Sequence, residues 1–207
     1  MDEEDAIEWK GSPTGAFSFA SAWSMVCTHR AQWPWARLVW HKLIPKSYSF
    51  LCWKILWRRI ATLDKVQLYH PEIDTDCRFC RMQTETVDHL FCACPFTRSL
   101  WRSCCVALHI VYDPGDLNLE MIVTRLPQIL GTSRRGLLAR LALLTWIFSV
   151  WEERNARMFD LRSRSRNQIE AIIACRVRDI WRAHNLEHDD LTEWLLVWCV
   201  GEVFEPP

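Results

Sequence analysis

The stretch that decides the fold is residues 77–94, which read CRFCRMQTETVDHLFCAC. Cys77 and Cys80 form a C-x2-C pair, in which a tight turn lets two thiolates approach one metal ion. His89 and Cys94 lie 9 and 14 residues beyond Cys80 and complete a set of four soft or borderline ligands. Zinc binds four such ligands at about 2.0–2.3 Å in a tetrahedron. The spacing therefore predicts a Zn²⁺ site formed by Cys77, Cys80, His89 and Cys94.

Cys92 is an alternative to Cys94 as the fourth ligand. We prefer Cys94 because Pro95, which follows it, ends the ligand segment. A single C-x2-C pair would fit ordinary buried thiols equally well, but four candidates within 18 residues favour metal binding. Four protein ligands leave no coordination position for water. The site is therefore expected to be structural and not hydrolytic.

The composition restricts the class of protein. The chain has 207 residues, enough to bury a core, and its 25 basic residues balance 25 acidic ones. Thirteen Trp predict a core built around indole rings. The ten Cys favour metal ligands and core thiols over disulfides, because the acidic start at residues 2–5 does not resemble a signal peptide. We expect a nuclear or cytoplasmic location.

The most apolar stretch, residues 137–151, is interrupted by Arg140 and is shorter than the roughly 20 residues that span a bilayer. It predicts a buried helix, and neither a membrane nor a small-molecule substrate is expected as a partner.

The hydrophobic periodicity predicts a mainly α fold. We expect a helical domain with a short N-terminal β-hairpin and a zinc-stapled loop, followed by two longer C-terminal helices. The hairpin pairs residues 7–10 with 16–19. The predicted helices are residues 18 or 21 to 29, 35–43, 50–59, 63–70 with Thr62 as N-cap, 97 or 99 to 108, 119–130, 134–159 and 165–185. The predicted domains are a zinc-binding domain over 5–110, a connector over 111–133, a helical pair over 134–186 and an acidic tail over 187–207.

Several separated motifs accompany the Cys/His set. They are Gly15-Ala16-Phe17-Ser18-Phe19 with Ala22-Trp23; Trp40, Ile44-Pro45-Lys46, Phe50 and Trp53; residues 59–64; Glu85-Thr86-Val87-Asp88-His89-Leu90-Phe91; Cys94-Pro95-Phe96; Trp146-Ile147; and Trp151-Glu152-Glu153-Arg154-Asn155-Ala156-Arg157-Met158-Phe159. Together, over residues 5–160, they resemble the plant reverse-transcriptase zinc-binding domain (zf-RVT) of non-LTR, LINE-type retrotransposon proteins. Ser47 in place of the usual Val and the extra thiol of Cys92 depart from the pattern.

This resemblance implies zinc on Cys77, Cys80, His89 and Cys94 and a place in the chain after a polymerase and before an RNase H. It implies no catalytic residue, and we expect no enzyme. A polymerase would need an aromatic-x-Asp-Asp pair, but Asp189-Asp190 lacks the aromatic residue and reads as a solvated charge run.

A Cys–His nucleophilic enzyme is also not favoured. Cys104-Cys105 reads as core with an adjacent polar face, and His109 reads as a helix-end residue.

The charge is unevenly distributed. Residues 30–65 carry eight basic side chains against Asp64 alone, and residues 125–182 carry twelve Arg against five acids. Arg side chains can neutralise phosphates and stack on unpaired bases, although they can also simply solvate the outside of a helical bundle. The predicted nucleic-acid contacts are Arg58, Arg59, Arg162, Arg164 and Arg166.

Two functions follow from these features. In the first, the chain is an accessory module that helps a reverse transcriptase hold RNA or DNA. In the alternative, it is a zinc-stabilised scaffold that docks the polymerase domain of a reverse transcriptase against its RNase H domain, without direct nucleic-acid contact.

Overall fold

The computed structural model describes residues 8–27, 33, 35–110, 119, 131, 133–184 and 186. Over these residues the chain is mainly helical, as predicted, and its one β-type pairing is an antiparallel bridge between Asp76 and Thr84. The chain divides into two units, Met1–Trp33 and Pro34–Pro207. The predicted helix over 119–130, apart from Leu119, and the predicted acidic tail over 187–207 lie outside the described residues. The domain boundaries proposed from the sequence stay predictions.

In the first unit, the predicted hairpin is not present over the described residues. The backbone N–H of Trp9 donates to the carbonyl of Gly15 at 2.8 Å and closes a turn. In this turn Gly15 adopts a φ of 69°, which suits glycine. Ser18 and Ser21 then form a capping box that begins helix α1, Phe19–Val26. The predicted second strand therefore cannot form, because its last residues are used to start a helix. The end of the predicted helix, near residue 29, lies outside the described residues.

The second unit begins with three short helices. They are α2, Ala36–Val39; α3, Lys46–Leu56; and α4, Leu63–Val66. Helix α3 starts earlier than predicted because Pro45, with its fixed φ, serves as the N-cap. Helices α2 and α4 end earlier than predicted, at Val39 and Val66.

Three longer helices follow in the described residues, with a short π-helical turn before them. The turn is His89–Ala93, and the helices are α5, Pro95–Ala107; α6, Arg134–Phe159; and α7, Arg166–Ala183. The predicted bounds of α6 agree with the structure, because the Ser133 side chain accepts the N–H of Gly136 and caps its start. Ser165 and Gln168 form a capping box that starts α7.

Helix α6 lies at the centre of the second unit and packs against α3, α5 and α7. Its apolar stretch is buried, as predicted from the sequence. Trp146 on α6 is fully buried beside Trp101 of α5, with ring centroids 5.4 Å apart, and its N–H donates to the carbonyl of Thr97 at 3.2 Å. Trp181 of α7 is also fully buried. In the described residues four Trp are buried, but four others are exposed, namely Trp23, Trp33, Trp40 and Trp57. The prediction of a core built around indole rings is therefore confirmed only in part. In the described residues we find no helix with the length and apolarity to span a bilayer.

A buried ion pair connects α6 to the segment between the two pairs of candidate metal ligands. Arg154 of α6 and Glu85 are 2.7 Å apart, and their side chains are 2% and 0% exposed. The same carboxylate oxygen accepts the N–H of Leu63 at 3.3 Å, and the guanidinium donates to the carbonyl of Ala61 at 3.3 Å. Glu85 therefore caps α4, where the sequence predicted a cap by Thr62. Thr62 occupies the N-cap position, but its side chain makes no capping hydrogen bond.

We expect Arg154→Met to reduce the free energy of unfolding by about 3–5 kcal/mol, because it leaves the Glu85 carboxylate buried without a counter-ion. The matched control is Arg176→Met, which removes a partly exposed ion pair between α7 and Glu152 of α6 and should cost about 0–1 kcal/mol. Urea unfolding of both variants measures the difference. Equal losses in the two variants would contradict the role assigned to the buried pair.

Candidate metal centre

The first two candidate ligands, Cys77 and Cys80, lie on one tight turn. The N–H of Cys77 donates to the carbonyl of Gln83 at 2.8 Å, and the carbonyl of Cys77 accepts the N–H of Arg81 at 2.9 Å. Arg81 closes this turn in the left-handed region, with φ 55°. The N–H groups of Phe79 and Cys80 donate to the sulfur of Cys77. The backbone thus aims donors at one thiol while it holds the second thiol beside it.

The other two ligands are positioned by the π-helical turn. In an α-helix, side chains five residues apart would point about 140° away from each other. Here the N–H of Cys94 donates to the carbonyl of His89 at 2.7 Å, an i→i+5 bond that widens the turn. Thr86 anchors the start of this turn, since its hydroxyl accepts the N–H of His89 at 3.0 Å. Cys94 itself has extended backbone, which directs its side chain back toward His89.

Helix α5 starts directly after Cys94. Pro95 is its first residue, a position where proline costs no hydrogen bond. The N–H groups of Phe96 and Thr97 donate to the sulfur of Cys94. The hydrogen bond from the Cys77 thiol, together with these two donors, lowers the pKa of Cys94, while sharing that proton and burial raise the pKa of Cys77. Cys94 is therefore the member of this pair that ionises first.

The four side chains predicted from the sequence meet at one point. The sulfurs of Cys77, Cys80 and Cys94 and a ring nitrogen of His89 all lie within 4.8 Å of one another. The Cys77 and Cys94 sulfurs are 3.9 Å apart, and the Cys80 sulfur is 3.3 Å from Nε2 of His89. Tetrahedral zinc requires about 3.8 Å between two sulfurs and about 3.6 Å between sulfur and nitrogen. The donor set and its spacing therefore fit a metal ion, and zinc in particular.

Cys92, the alternative ligand, does not belong to this group. Its side chain is 2% exposed and packs in the hydrophobic core. Burial raises the pKa of Cys92 to about 12, so this residue is a neutral core thiol. The structure thus brings Cys94, and not Cys92, to the other three candidate ligands.

Gln83 is a contributor to the site that the sequence analysis missed. Its side-chain oxygen is 2.9 Å from Nδ1 of His89, on the side of the ring opposite the cysteine sulfurs. With Nδ1 as donor, Nε2 carries the free lone pair that a metal requires, and such partners also fix the orientation of the ring. Burial lowers the pKa of His89, which favours the neutral ligand form. Glutamine has no ligand spacing of its own, so no sequence signal marks this role.

Arg157 of α6 contacts both halves of the metal site, a second role that the sequence did not reveal. Its guanidinium lies over the rings of Phe79 and Phe96, at 4.6 and 4.9 Å from their centroids. These two rings stack on each other at 5.1 Å. Phe79 stands between the first two cysteines, and Phe96 follows Cys94-Pro95. Glu153, which is 1% exposed, holds the Arg157 side chain at 2.8 Å. Helix α6 therefore supports the two ligand turns together.

The first pair of predicted nucleic-acid contacts lies at the end of α3. Arg58 forms a double hydrogen bond with the carboxylate of Asp88, at 2.7 and 3.0 Å. Arg59 is exposed and lies over the ring of Trp57, 6.0 Å from its centroid.

Of the other three predicted contacts, Arg162 and Arg164 lie between α6 and α7, and Arg166 is the first residue of α7. Arg164 pairs with the buried Glu153 at 3.2 Å, and Arg166 pairs with Glu170 at 2.8 Å. Arg162 is exposed. Nucleic acid would compete with intramolecular partners at Arg164 and Arg166, and phosphate contact by any of the five stays a prediction.

The side chains that the sequence analysis weighed for catalysis are Cys104-Cys105 with His109, and Asp189-Asp190. Cys104 and Cys105 are both buried, 1% and 5% exposed, whereas the sequence placed one of them on a polar face. Burial raises the pKa of Cys105 to about 12 and that of Cys104 as well. His109 lies just past the end of α5, as predicted. Asp189-Asp190 lies outside the described residues.

The comparison with known families follows from the same segment. Residues 17–101 match the model of a family described as zinc-binding in reverse transcriptase (zf-RVT). The match includes all four members of the metal cluster and Gln83, but it ends before α6, which carries Arg154 and Arg157. The family is described by zinc binding and not by catalysis. No curated protein and no solved structure matches the chain.

We expect Cys94→Ser to abolish stoichiometric zinc binding and Cys92→Ser to retain one zinc per chain, because only Cys94 lies in the four-atom group. Elemental analysis of the purified variants measures the ratio. Cys92→Ser is the matched control, since it makes the same substitution two residues away at a buried site. Zinc retained by Cys94→Ser and lost by Cys92→Ser would show that the ligand assignment is wrong.

Gln83→Leu should weaken zinc binding by roughly 10- to 100-fold while leaving the stoichiometry unchanged, because His89 loses the group that orients its ring. Competition with a chromophoric chelator measures the affinity. Gln67→Leu, at an exposed position after α4, serves as the control and should not change it. An unchanged affinity in Gln83→Leu would remove Gln83 from the site.

Proposed function

We propose, from the premise that residues 17–101 are a reverse-transcriptase zinc-binding domain, that this chain is a non-catalytic accessory module that helps a reverse transcriptase hold RNA or DNA. The Cys77, Cys80, His89 and Cys94 cluster would hold the zinc, which when bound supplies a tetrahedral centre that joins the two ligand turns. With four protein ligands the ion would stabilise the fold and activate no water. The motif resemblance further suggests a polymerase of the non-LTR, plant type, acting in the nucleus or cytoplasm.

The observation that carries nucleic-acid binding is the charge of the region around α3. No Asp or Glu lies between Glu8 and Asp64. In the described part of this region several basic side chains are exposed, namely Arg37, Lys42, Lys46, Arg58 and Arg59. A surface that is rich in cations and poor in acids attracts the phosphate backbone, because binding releases condensed counterions.

The ion pairs of the predicted arginines indicate which of the two basic regions is more accessible to phosphate. Arg164 and Arg166 already neutralise Glu153 and Glu170, so phosphate would have to displace those carboxylates. Arg58 is also paired, with Asp88, but it lies beside Arg59 in the acid-poor region. We therefore place the main contacts at Arg58, Arg59 and their neighbours, with Arg162, Arg164 and Arg166 as a secondary set.

The alternative function is a zinc-stabilised scaffold between polymerase and RNase H domains. It is favoured by the way α6, which lies outside the family match, attaches to the metal site through Arg154 and Arg157. In that case the zinc domain and the helices after it form one unit whose outer surface binds protein. The two functions differ in their response to salt, since only phosphate contacts release condensed counterions.

We expect the zinc-loaded chain to bind a single-stranded RNA with an affinity that falls linearly with salt on logarithmic axes. Arg59→Ala should weaken binding and reduce the salt slope by about 0.7, the value for one phosphate contact on a single strand. Arg102→Ala, at an exposed position on α5, removes the same charge elsewhere and should leave both unchanged. Fluorescence anisotropy over a range of salt concentrations gives both quantities. Absence of salt-sensitive binding at low ionic strength would reject this function in favour of the scaffold.

A further inference from the structure

Helix α3 has one face in the core and one face at the surface. Its buried side chains are Tyr48, Ser49, Leu51, Cys52 and Ile55. The opposite face carries Lys46, Phe50 and Lys54, spaced four residues apart, as expected for neighbours on one side of a helix, and Trp57 follows at the C-cap. This exposed face therefore alternates cations with aromatic rings.

The rings of this face are arranged as a platform. Phe50 and Trp53 stack on each other with their centroids 5.4 Å apart and their planes 24° from parallel. Trp53 is partly buried against the core and so anchors the pair, whereas Phe50 is 51% exposed. At the end of the helix, Trp57 is 44% exposed. Phe50 on the helix and Trp57 at its C-cap are therefore both partly accessible to solvent.

Cations accompany both points. The ammonium of Lys54 lies 5.6 Å from the centre of the Phe50 ring, and the guanidinium of Arg59 lies 6.0 Å from the centre of the Trp57 ring. Lys46 is exposed one turn before Phe50. The acid nearest to the helix in sequence, Asp64, comes after the acid-free stretch. The face thus combines exposed rings with positive charge that no acidic residue of its own segment neutralises.

Single-stranded nucleic acid matches this combination. Its unpaired bases have free π-faces that stack on aromatic side chains, and its phosphates pair with Lys and Arg placed between them. A duplex does not match it, because base pairing and stacking hide those faces. A protein partner would need both an apolar surface and acidic groups to satisfy the same residues.

We propose that the exposed face of α3, taken together with the residues that follow its end, binds single-stranded nucleic acid by stacking bases on Phe50 and Trp57 and by pairing phosphates with its cations. The face is defined as Lys46, Phe50, Trp53, Lys54, Trp57 and Arg59. This inference deepens the proposed function and rests on it. It adds the type of nucleic acid and the residues that select it. Stacking contributes affinity that does not depend on salt, whereas the affinity contributed by the phosphate contacts falls as the salt concentration rises.

The test measures binding of the zinc-loaded full chain to a labelled oligouridylate of about 15 nucleotides and to an RNA duplex of the same length, over a range of salt concentrations. The variants are Phe50→Ala and Trp57→Ala. Phe50→Tyr keeps a ring at the same position, and Tyr69→Ala removes an aromatic ring that is 83% exposed outside this face. Zinc content and circular dichroism establish that each variant is folded, and Phe50 variants alone decide the result if Trp57→Ala does not fold.

We expect Phe50→Ala and Trp57→Ala each to weaken oligouridylate binding by roughly tenfold at every salt concentration without changing the salt slope. Phe50→Tyr and Tyr69→Ala should bind like the unaltered chain, and the duplex should bind more weakly than the single strand. If the unaltered chain binds with salt dependence but Phe50→Ala loses no more than Tyr69→Ala, or the duplex binds as tightly, this inference is wrong and the proposed function stands. If the unaltered chain binds no nucleic acid at low salt, both this inference and the proposed function are wrong, and a protein partner becomes the favoured occupant of the face.

Discussion

The structure depends on the meeting of three thiols and an imidazole that belong to two separate turns. The Cys77 and Cys94 sulfurs are buried and 3.9 Å apart. Two thiolates at that distance repel each other strongly in a medium of low dielectric, which is why the pKa of one is lowered only while the other keeps its proton. A divalent cation removes that conflict, so zinc affinity and the stability of residues 77–94 become one quantity. Backbone N–H groups donate to both sulfurs and so favour their thiolate forms.

Helix α6 carries the motif around Trp151 and brings it into contact with the candidate metal site, although the last ligand, Cys94, lies nearly sixty residues earlier in the sequence. Arg154 reaches Glu85 in the buried ion pair, and Arg157 covers the two rings that flank the cysteines. One helix therefore holds both the entry and the exit of the ligand loop. Because Arg154 and Glu85 are buried, the loss of either one leaves an uncompensated charge that solvent cannot reach.

Local patterns in the sequence predicted much of the structure. Ligand spacing identified the four side chains that meet, and apolar periodicity identified α6 and α7. The failures have non-local or competing causes. The predicted hairpin does not form because a capping box uses the residues of its second strand. The cap of α4 was missed because it comes from Glu85, which is distant in sequence. Gln83 and the stacked face of α3 become visible only once the chain is folded, because a side chain's partner is set by tertiary contacts.

The Cys3His cluster is the point at which the two ligand turns, their rings and helix α6 meet. A closed zinc site there would hold them together. Zinc K-edge X-ray absorption of the zinc-loaded full chain tests it most directly. The expected first shell is three sulfurs at about 2.3 Å and one nitrogen at about 2.0 Å, with no oxygen. A shell of four sulfurs would mean that Cys92 replaces His89, and a shell containing a water oxygen would mean an open site. Either result would contradict a closed structural centre of Cys77, Cys80, His89 and Cys94.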